Sequence, residues 1–276
     1  MIKRLEELSI TDDFMFGAVM RDPRRCKPLL ELILGIKIYH IEYPELQKAI
    51  SERYDSKSIR LDVYVEDDTG TVYDIEIQTT NKKHLPRRVR YYQGLIDLNI
   101  LEKGEDYRAL RKSYVIFIAT YDPFGKGRYV YTFENRCRED LELPLGDDAV
   151  KIVLNTKGAV GEISEDLKDL LQFMDGMEPG SDYTRDLKKA VEEVRLDEKW
   201  RREYMVMNEL LKENRRMGGN IRTVSQIRQN RKELTRDAIA RYMLVDPVIV
   251  ATIISTIDAH PDWDDEEIAE NIDFEE

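Results

Sequence analysis

The sequence predicts an α/β protein in which a mixed sheet flanked by helices is followed by an all-helical region. Residues 58–79 alternate apolar with charged or polar side chains, which is typical of a β-hairpin. The dense β-branched and aromatic run at 113–120 is typical of a strand buried on both faces. After Gly161 the periodic segments all have helical spacing. We therefore expect a mixed-sheet domain over residues 1–160 and a helical region over 161–276.

The composition excludes several classes of protein. The chain has 276 residues, of which 42% are hydrophobic and 36% charged, and it has no apolar run near the about 18 residues that a membrane span requires. Its first ten residues lack the apolar segment of a signal peptide. The two cysteines, Cys26 and Cys137, form no CxxC pair, and three histidines offer little for a zinc site. The sequence therefore predicts a cytoplasmic protein with reduced thiols and no membrane span.

The net charge of −12 is distributed unevenly along the chain. Residues 1–160 carry 26 basic and 27 acidic residues, whereas 161–276 carry 17 and 28. Directly after the predicted hairpin, residues 82–112 contain nine basic and four acidic residues. A basic stretch of this kind is either a solvated helix face or a surface for the nucleic-acid backbone.

The remaining elements of the first domain follow from helical and strand spacing. Helices are predicted at 11–20 and 26–35, with a short strand near 38–43. A further helix is expected from about 86 to 102, because Pro86 suits a first turn and Gly104 a C-terminal cap. Two more strands, at 128–133 and 150–154, complete the predicted sheet.

The helical region is predicted to begin with a helix capped by Ser164 and to continue with one long helix from Ser181 to about residue 217. Two short helices follow over 237–257, where a helix-turn-helix is one interpretation. Leu244 stands where the tight turn of that motif prefers glycine, which favours helix packing or self-association instead. The tail from residue 258 holds ten acids and no Lys or Arg, typical of a solvating end or of a mimic of DNA charge.

The register of the predicted hairpin decides which of its carboxylates meet. Asp62 and Glu76 can lie opposite each other only if the turn between the strands has an odd number of residues. A three-residue loop at 68–70, with Gly70 in the left-handed conformation, gives that register. A two-residue loop would separate the two side chains. We expect the polar side of this hairpin to face solvent.

Two carboxylates at cross-strand distance repel each other unless a cation lies between them. Hard oxygen ligands favour Mg²⁺ or Mn²⁺, which borrow further oxygens from water or from a substrate phosphate. On the residues alone, the hairpin is therefore either a metal site or a solvated acidic surface.

Several motifs carry a resemblance to a known family. They read, in chain order, RLDVYVEDDTGTVYDIEIQ, RRVRYYQGLID, EKGEDY, SYVIFIATYDPFG and YTFEN. This set resembles the PD-(D/E)XK nucleases and, within them, the bacterial transposase family also called recombination-promoting nucleases. The resemblance spans residues 8–158 and implies a restriction-endonuclease-like fold.

The resemblance implies a set of site residues. Asp62 and Glu76 would bind Mg²⁺ or Mn²⁺, with the backbone carbonyl of Ile77 as a third oxygen. Gln78 stands where the superfamily has a catalytic lysine, and glutamine can orient a water but cannot offset charge. Arg60, opposite Gln78 in the expected register, could supply the missing charge.

The resemblance also implies a reaction and partners. Asp13 and Glu31 are candidates for an accessory acid from the first helices. Five basic residues would hold the DNA backbone without reading sequence: Lys82, Lys83, Arg87, Arg88 and Arg90. The implied activity is Mg²⁺-dependent hydrolysis of DNA phosphodiesters in recombination or transposon-like mobility. The alternative is a weak or inactive nuclease-fold protein that binds DNA or a protein partner, and the helical region would serve a homodimer or contact with DNA or another partner.

Overall fold

The computed structural model describes residues 3–43, 62–81, 84–101 and 104–274. Its strands are Ile41–Glu42 (β1), Val63–Asp67 (β2), Val72–Gln78 (β3), Ser113–Ala119 (β4), Val130–Phe133 (β5) and Ala149–Asn155 (β6). Within these residues they form one six-stranded sheet in the order β1-β2-β3-β4-β6-β5. The β3/β4 and β4/β6 pairs are parallel and the others antiparallel, which confirms the predicted mixed sheet.

Helices precede, flank and follow this sheet. They are Asp13–Met20 (α1), Pro23–Leu34 (α2), Leu85–Ile100 (α3), Glu165–Met174 (α4), Asp182–Leu196 (α5), Glu198–Asn230 (α6), Arg236–Met243 (α7), Pro247–Ala259 (α8) and Asp265–Glu270 (α9). The second helix begins at Pro23, earlier than predicted, because the Asp22 side chain accepts a hydrogen bond from the Arg24 amide and caps it. Two short 3-10 turns lie at Leu5–Glu7 and Tyr107–Ala109. None of the described helices is both long and apolar enough to cross a membrane.

The turn between β2 and β3 has the predicted three-residue loop. The amide of Asp67 donates to the carbonyl of Thr71 at 3.0 Å, and the amide of Gly70 donates to the carbonyl of Asp67 at 2.9 Å. Gly70 has φ +81°, the left-handed conformation that favours glycine. Val63 therefore pairs with Ile75, which is the register that points Asp62 toward Glu76.

The polar side of the hairpin does not face solvent, and this part of the prediction is wrong. All seven residues of β3 are buried, because β3 lies between β2 and β4 and α3 covers its even-numbered side chains. Val72 of β3 and Phe117 of β4 pack in one apolar cluster with Val89 and Tyr92 of α3. The acidic residues of β3 are therefore interior groups.

The helices α4 and α5 belong with the sheet, so the first compact unit ends at Arg201 and not at the predicted boundary of 160. α5 contacts α1, and α4 contacts α2 and α5. The side chain of Arg25 in α2 forms ion pairs with Asp186 at 3.1 Å and Glu193 at 3.0 Å, both on α5. These contacts, together with apolar packing, join the helices after the sheet to those before it.

The predicted long helix from Ser181 is two helices. Asp197 has an extended backbone, with φ −84° and ψ 122°, and ends α5. Its side chain then accepts a hydrogen bond from the Lys199 amide at 2.6 Å at the start of α6. The break in apolar spacing between Val194 and Trp200 thus marks a helix boundary.

The second compact unit begins at Arg202 and has its own apolar core. The core includes side chains from the end of α6 and from α7, α8 and α9: Val224, Ile227, Ile239, Val250, Ile253, Ile257, Ile268 and Ile272. Leu244, between α7 and α8, adopts φ 55° although it is not glycine. The acidic tail is part of this unit, since Ile268 and Ile272 are buried and Asp265 forms an ion pair with Arg228 at 2.7 Å.

We expect Gly70→Ala to lower the free energy of unfolding by about 1 kcal/mol, because an L side chain is strained in the left-handed region. Gly94→Ala is the matched control. Gly94 lies inside α3, and a Cβ there would meet nothing within 4 Å, so the same change should raise stability by about 0.5–1 kcal/mol. Urea unfolding of both variants measures the difference. Equal effects of the same sign would contradict the assigned turn.

Candidate active site

Three polar side chains of β3 lie in the interior of the first unit. Asp74, Glu76 and Gln78 have exposed fractions of 0%, 2% and 6%. They share one side of the strand because side chains alternate, and that side lies under α3. Burial of carboxylates is costly unless a cation or several hydrogen bonds stabilise them.

Asp62 and Glu76 meet at the end of β2, as the register predicts. The amide of Asp62 donates to Glu76 Oε1 at 2.9 Å, and the amide of Ile77 donates to Asp62 Oδ2 at 3.1 Å. These two hydrogen bonds between backbone amides and carboxylates hold both side chains at the open end of the hairpin. The structure thus brings together the two residues that the sequence pairs as metal ligands.

The carbonyl of Ile77 lies at the same end of the hairpin. The Val72 amide donates to the Lys112 carbonyl at 2.9 Å, and the Gln78 carbonyl accepts from the Thr120 amide at 3.1 Å. Even-numbered residues of β3 therefore bond toward β4, and odd-numbered residues point their backbone groups toward β2. Because β2 begins at Val63, opposite Ile75, the backbone of Ile77 lies beyond the first residue of β2, and its amide donates to Asp62 Oδ2 at 3.1 Å.

Asp74 is a buried carboxylate that the sequence analysis did not single out. Among the described residues, neither of its side-chain oxygens has a hydrogen-bond partner. Burial, followed by the negative charges of Glu76 and Asp62, raises its pKa well above the ordinary value. Burial and the charge of Asp62 also raise the pKa of Glu76. The carboxylates thus form one electrostatically coupled acidic group.

Arg88 extends from α3 into this acidic group. Its Nη2 lies 3.4 Å from Glu76 Oε2 and donates to the Tyr92 hydroxyl at 2.8 Å, and its Nη1 donates to Gln78 Oε1. Its side chain is 33% exposed, whereas Arg87 and Arg90 of the same helix are exposed. Arg88 therefore differs in its surroundings from Arg87 and Arg90, the other two arginines of α3 that were predicted to bind the DNA backbone.

One sequence signal could have located Arg88 correctly. Arg88 and Tyr92 are four residues apart in a predicted helix, so they share a face. Tyr92 belongs to the apolar stripe of that helix and is buried. An arginine one turn before a buried tyrosine can therefore reach inward, and its guanidinium lies 5.4 Å from the centre of the Tyr92 ring.

The accessory acids differ in their positions. Asp13 is the first residue of α1, and one turn later a Cβ on Gly17 would lie 3.3 Å from the Asp62 carbonyl oxygen. α1 thus runs close to the backbone of Asp62. Glu31 has other partners, since its carboxylate accepts from the Ile38 amide at 3.0 Å and pairs with Lys27 at 3.3 Å. Arg60, Lys82 and Lys83 lie outside the described residues.

The donor set suits a hard divalent cation such as Mg²⁺ or Mn²⁺. Carboxylate and carbonyl oxygens are the ligands that these ions prefer, and the side-chain oxygens of Asp74, which have no hydrogen-bond partner among the described residues, lie in the same acidic group. In residues 3–43, 62–81, 84–101 and 104–274 no group of three or more His, Cys, Asp or Glu side chains is arranged to hold a metal. Asp62, Glu76 and the Ile77 carbonyl would therefore leave the remaining positions to water and substrate.

Part of the chain matches a known protein family. Residues 22–137 match the model of a family described as PD-(D/E)XK nuclease family transposase, and this confirms the resemblance predicted from the motifs. The matched residues run from the start of α2 past β5 and include Asp62, Glu76, Gln78 and Arg88. No curated protein and no solved structure matches the chain.

We expect Asp74→Asn to raise the free energy of unfolding at neutral pH by about 1–3 kcal/mol in the presence of a chelator. The change removes a buried carboxylate that has no hydrogen-bond partner. Asp67→Asn, on the same hairpin, is the opposite control. Asp67 Oδ1 accepts from the amides of Thr69 and Thr71, both at 2.9 Å, and Oδ2 accepts from the Tyr73 hydroxyl at 2.6 Å. Asparagine can replace only one of these two acceptor oxygens, so Asp67→Asn should be destabilising. Urea titrations of both variants give the comparison, and destabilisation by Asp74→Asn would show that the carboxylate has a stabilising partner.

Proposed function

We propose that this chain, whose residues 22–137 match the PD-(D/E)XK nuclease family transposases, is a DNA endonuclease that depends on Mg²⁺ or Mn²⁺. Its activity would serve recombination or transposon-like mobility. The observation that carries the proposal is the contact inside the matched segment in which Glu76 accepts from the Asp62 amide and Asp62 accepts from the amide of Ile77, the residue after Glu76. Two neighbouring carboxylates, of which Glu76 is buried and Asp62 partly buried, are costly for stability and suited to holding a cation.

Each residue of the site has a proposed role. Asp62, Glu76 and the carbonyl of Ile77 would hold the ion. When bound, a divalent ion lowers the pKa of water and stabilises negative charge on phosphoryl oxygens. Gln78 takes the place of the superfamily lysine, and Asp13, one turn before the residue of α1 that lies close to the Asp62 carbonyl, would be the accessory acid.

DNA would be held through its phosphates. Arg87 and Arg90 are exposed on α3, the helix whose inner side covers the carboxylates. Contacts of arginine with phosphate position a duplex but carry no sequence information. With Lys82 and Lys83, which the sequence places directly before this helix, they would bind DNA with little sequence specificity.

Two further proposals concern the setting of the activity. A cytoplasmic location accords with the composition of the chain and with its reduced cysteines. A homodimer formed through the helical region 161–276 would bring two sites to one duplex and allow cleavage of both strands. The exposed apolar side chains Met205, Val206 and Leu210 on α6 accord with such self-association.

A second candidate function is binding of DNA or a protein partner without cleavage. It is favoured by Gln78, which is neutral where the superfamily has lysine and whose amide nitrogen already donates to the Thr80 carbonyl at 2.6 Å. DNA cleavage that stops on chelation and resumes with Mg²⁺ would exclude this alternative.

We expect the purified protein to nick supercoiled plasmid in Mg²⁺, and Asp62→Ala to reduce the rate by about 100-fold or more, since metal-assisted charge stabilisation contributes several kcal/mol. Glu66→Ala is the matched control, because Glu66 lies on the same side of β2 and pairs with Arg111 away from the site. Gel quantification of nicked and linear plasmid gives the rates. Equal rates of cleavage by wild type and Asp62→Ala would contradict the proposed role of Asp62 in a metal-dependent nuclease.

Arg87→Ala and Arg90→Ala should each weaken DNA binding and reduce the slope of log affinity against log salt by about 1, as the loss of one phosphate contact predicts. Fluorescence anisotropy of a labelled duplex in Ca²⁺ measures both quantities. Arg108→Ala is the control, because Arg108 is exposed but pairs with Asp106 at 3.1 Å. If the slope of log affinity against log salt is unchanged in both α3 variants, this helix does not contact the DNA phosphates.

A further inference from the structure

A cationic side chain from α3, that of Arg88, lies against the carboxylates of the site. Arg88 Nη2 lies 3.4 Å from Glu76 Oε2, and Arg88 Nη1 donates to the amide oxygen of Gln78. Residue 78 is the position that the superfamily fills with lysine. The arginine therefore brings its charge to the place where that lysine's charge would be.

Gln78 is engaged at both ends of its side chain. Its Oε1 accepts from Arg88, and its Nε2 donates to the Thr80 carbonyl at 2.6 Å. A neutral amide held in this way offers no charge to a phosphate, and its oxygen is directed at the guanidinium. The geometry suits a residue that orients Arg88.

Aromatic side chains fix the guanidinium from the other side. The Tyr92 hydroxyl accepts from Arg88 Nη2 at 2.8 Å. The guanidinium carbon lies 5.4 Å from the centre of the Tyr92 ring and 5.2 Å from that of Phe117 on β4. Stacking and hydrogen bonding reduce the freedom of a long side chain, so the charge is preorganised.

Arg88 is nevertheless accessible. Its side chain is 33% exposed, while that of its partner Glu76 is 3% exposed. A guanidinium has five N–H donors, and the contacts with Glu76, Gln78 and Tyr92 do not use all of them. The remaining donors can bind a phosphate oxygen that approaches from the solvent side.

We propose that Arg88 supplies the positive charge that stabilises the scissile phosphate, and that Gln78 and Tyr92 are positioning residues for it. This inference rests on the proposed nuclease function. In that hydrolysis, water oxygen forms a bond to phosphorus as the bond to one sugar oxygen breaks, which leaves a phosphate monoester and a hydroxyl. Arg88 keeps its proton throughout and acts on the charge that develops on the phosphoryl oxygens.

The test transfers the positive charge from Arg88 on α3 to residue 78 on β3. Arg88→Met keeps the apolar stem but removes the charge, and kcat for nicking in Mg²⁺ should fall by about 100-fold, as for the loss of one oxyanion donor. The KM for plasmid should change by less than about threefold, because the lost interaction belongs to the transition state. Adding Gln78→Lys to Arg88→Met should restore about tenfold or more of the lost rate.

Arg111→Met is the matched control. Arg111 also pairs with a carboxylate of the hairpin, Glu66, but at the turn end of β2. Its nicking rate should equal that of wild type. A comparable loss of rate in Arg111→Met would mean that removal of any hairpin ion pair damages the sheet, and would overturn the specific role of Arg88.

Mn²⁺ binding, measured by calorimetry on the full chain without DNA, gives a readout independent of cleavage. Arg88→Met should still bind Mn²⁺, because the proposed ligands remain, whereas Asp62→Ala should not. Loss of Mn²⁺ binding in Arg88→Met would show that Arg88 only holds Glu76 in place, and would overturn the proposal. So would a double variant that gains no rate over Arg88→Met.

The outcomes distinguish a failure of the role of Arg88 from a failure of the nuclease function. An active wild type together with a fully active Arg88→Met overturns the role of Arg88 and leaves the nuclease function standing. A wild type that neither nicks plasmid nor binds Mn²⁺ overturns the nuclease function and, with it, the role of Arg88.

Discussion

The structure of the first unit depends on the burial of polar side chains beneath α3. Asp74, Glu76 and Gln78 occupy positions of β3 that an ordinary sheet would give to aliphatic residues, and the low dielectric there strengthens every charge interaction. α3 must therefore provide both an apolar cover and a cation, and it does so with Val89, Tyr92 and Arg88. Burying these polar groups costs stability, and the proposed metal site would rest on that cost.

The strand register could be predicted from the sequence because it depends on local rules. Side chains alternate along a strand, opposite residues share a face, and a glycine in the left-handed conformation closes a three-residue loop. These rules involve only residues 62–76, so Asp62 and Glu76 meet as predicted. The family resemblance then implied a metal-binding role for these carboxylates, which alternation alone does not imply. The strands at 113–120 and 150–154 could also be predicted from the sequence, because a strand covered on both faces has few polar residues.

What could not be predicted depends on contacts between distant elements. The acidic side of β3 has the alternation of a solvent-facing strand, and only the position of β3 between β2 and β4, with α3 above it, makes that side interior. Arg88 has the same charge as its exposed neighbours, and its inward direction follows from the packing of Tyr92 against Phe117. The boundary of the first unit was missed for a similar reason, since the ion pairs of Arg25 with α5 join segments far apart in sequence.

The three-residue loop at 68–70 has a consequence for the evolution of this chain. Insertion or deletion of one residue there would exchange the two faces of one strand relative to the other and separate Asp62 from Glu76. A change of two residues would conserve the parity of the register. Length variation at this turn should therefore be tolerated in steps of two residues, because the parity of the loop length, more than the identity of the inserted residues, decides whether Asp62 faces Glu76.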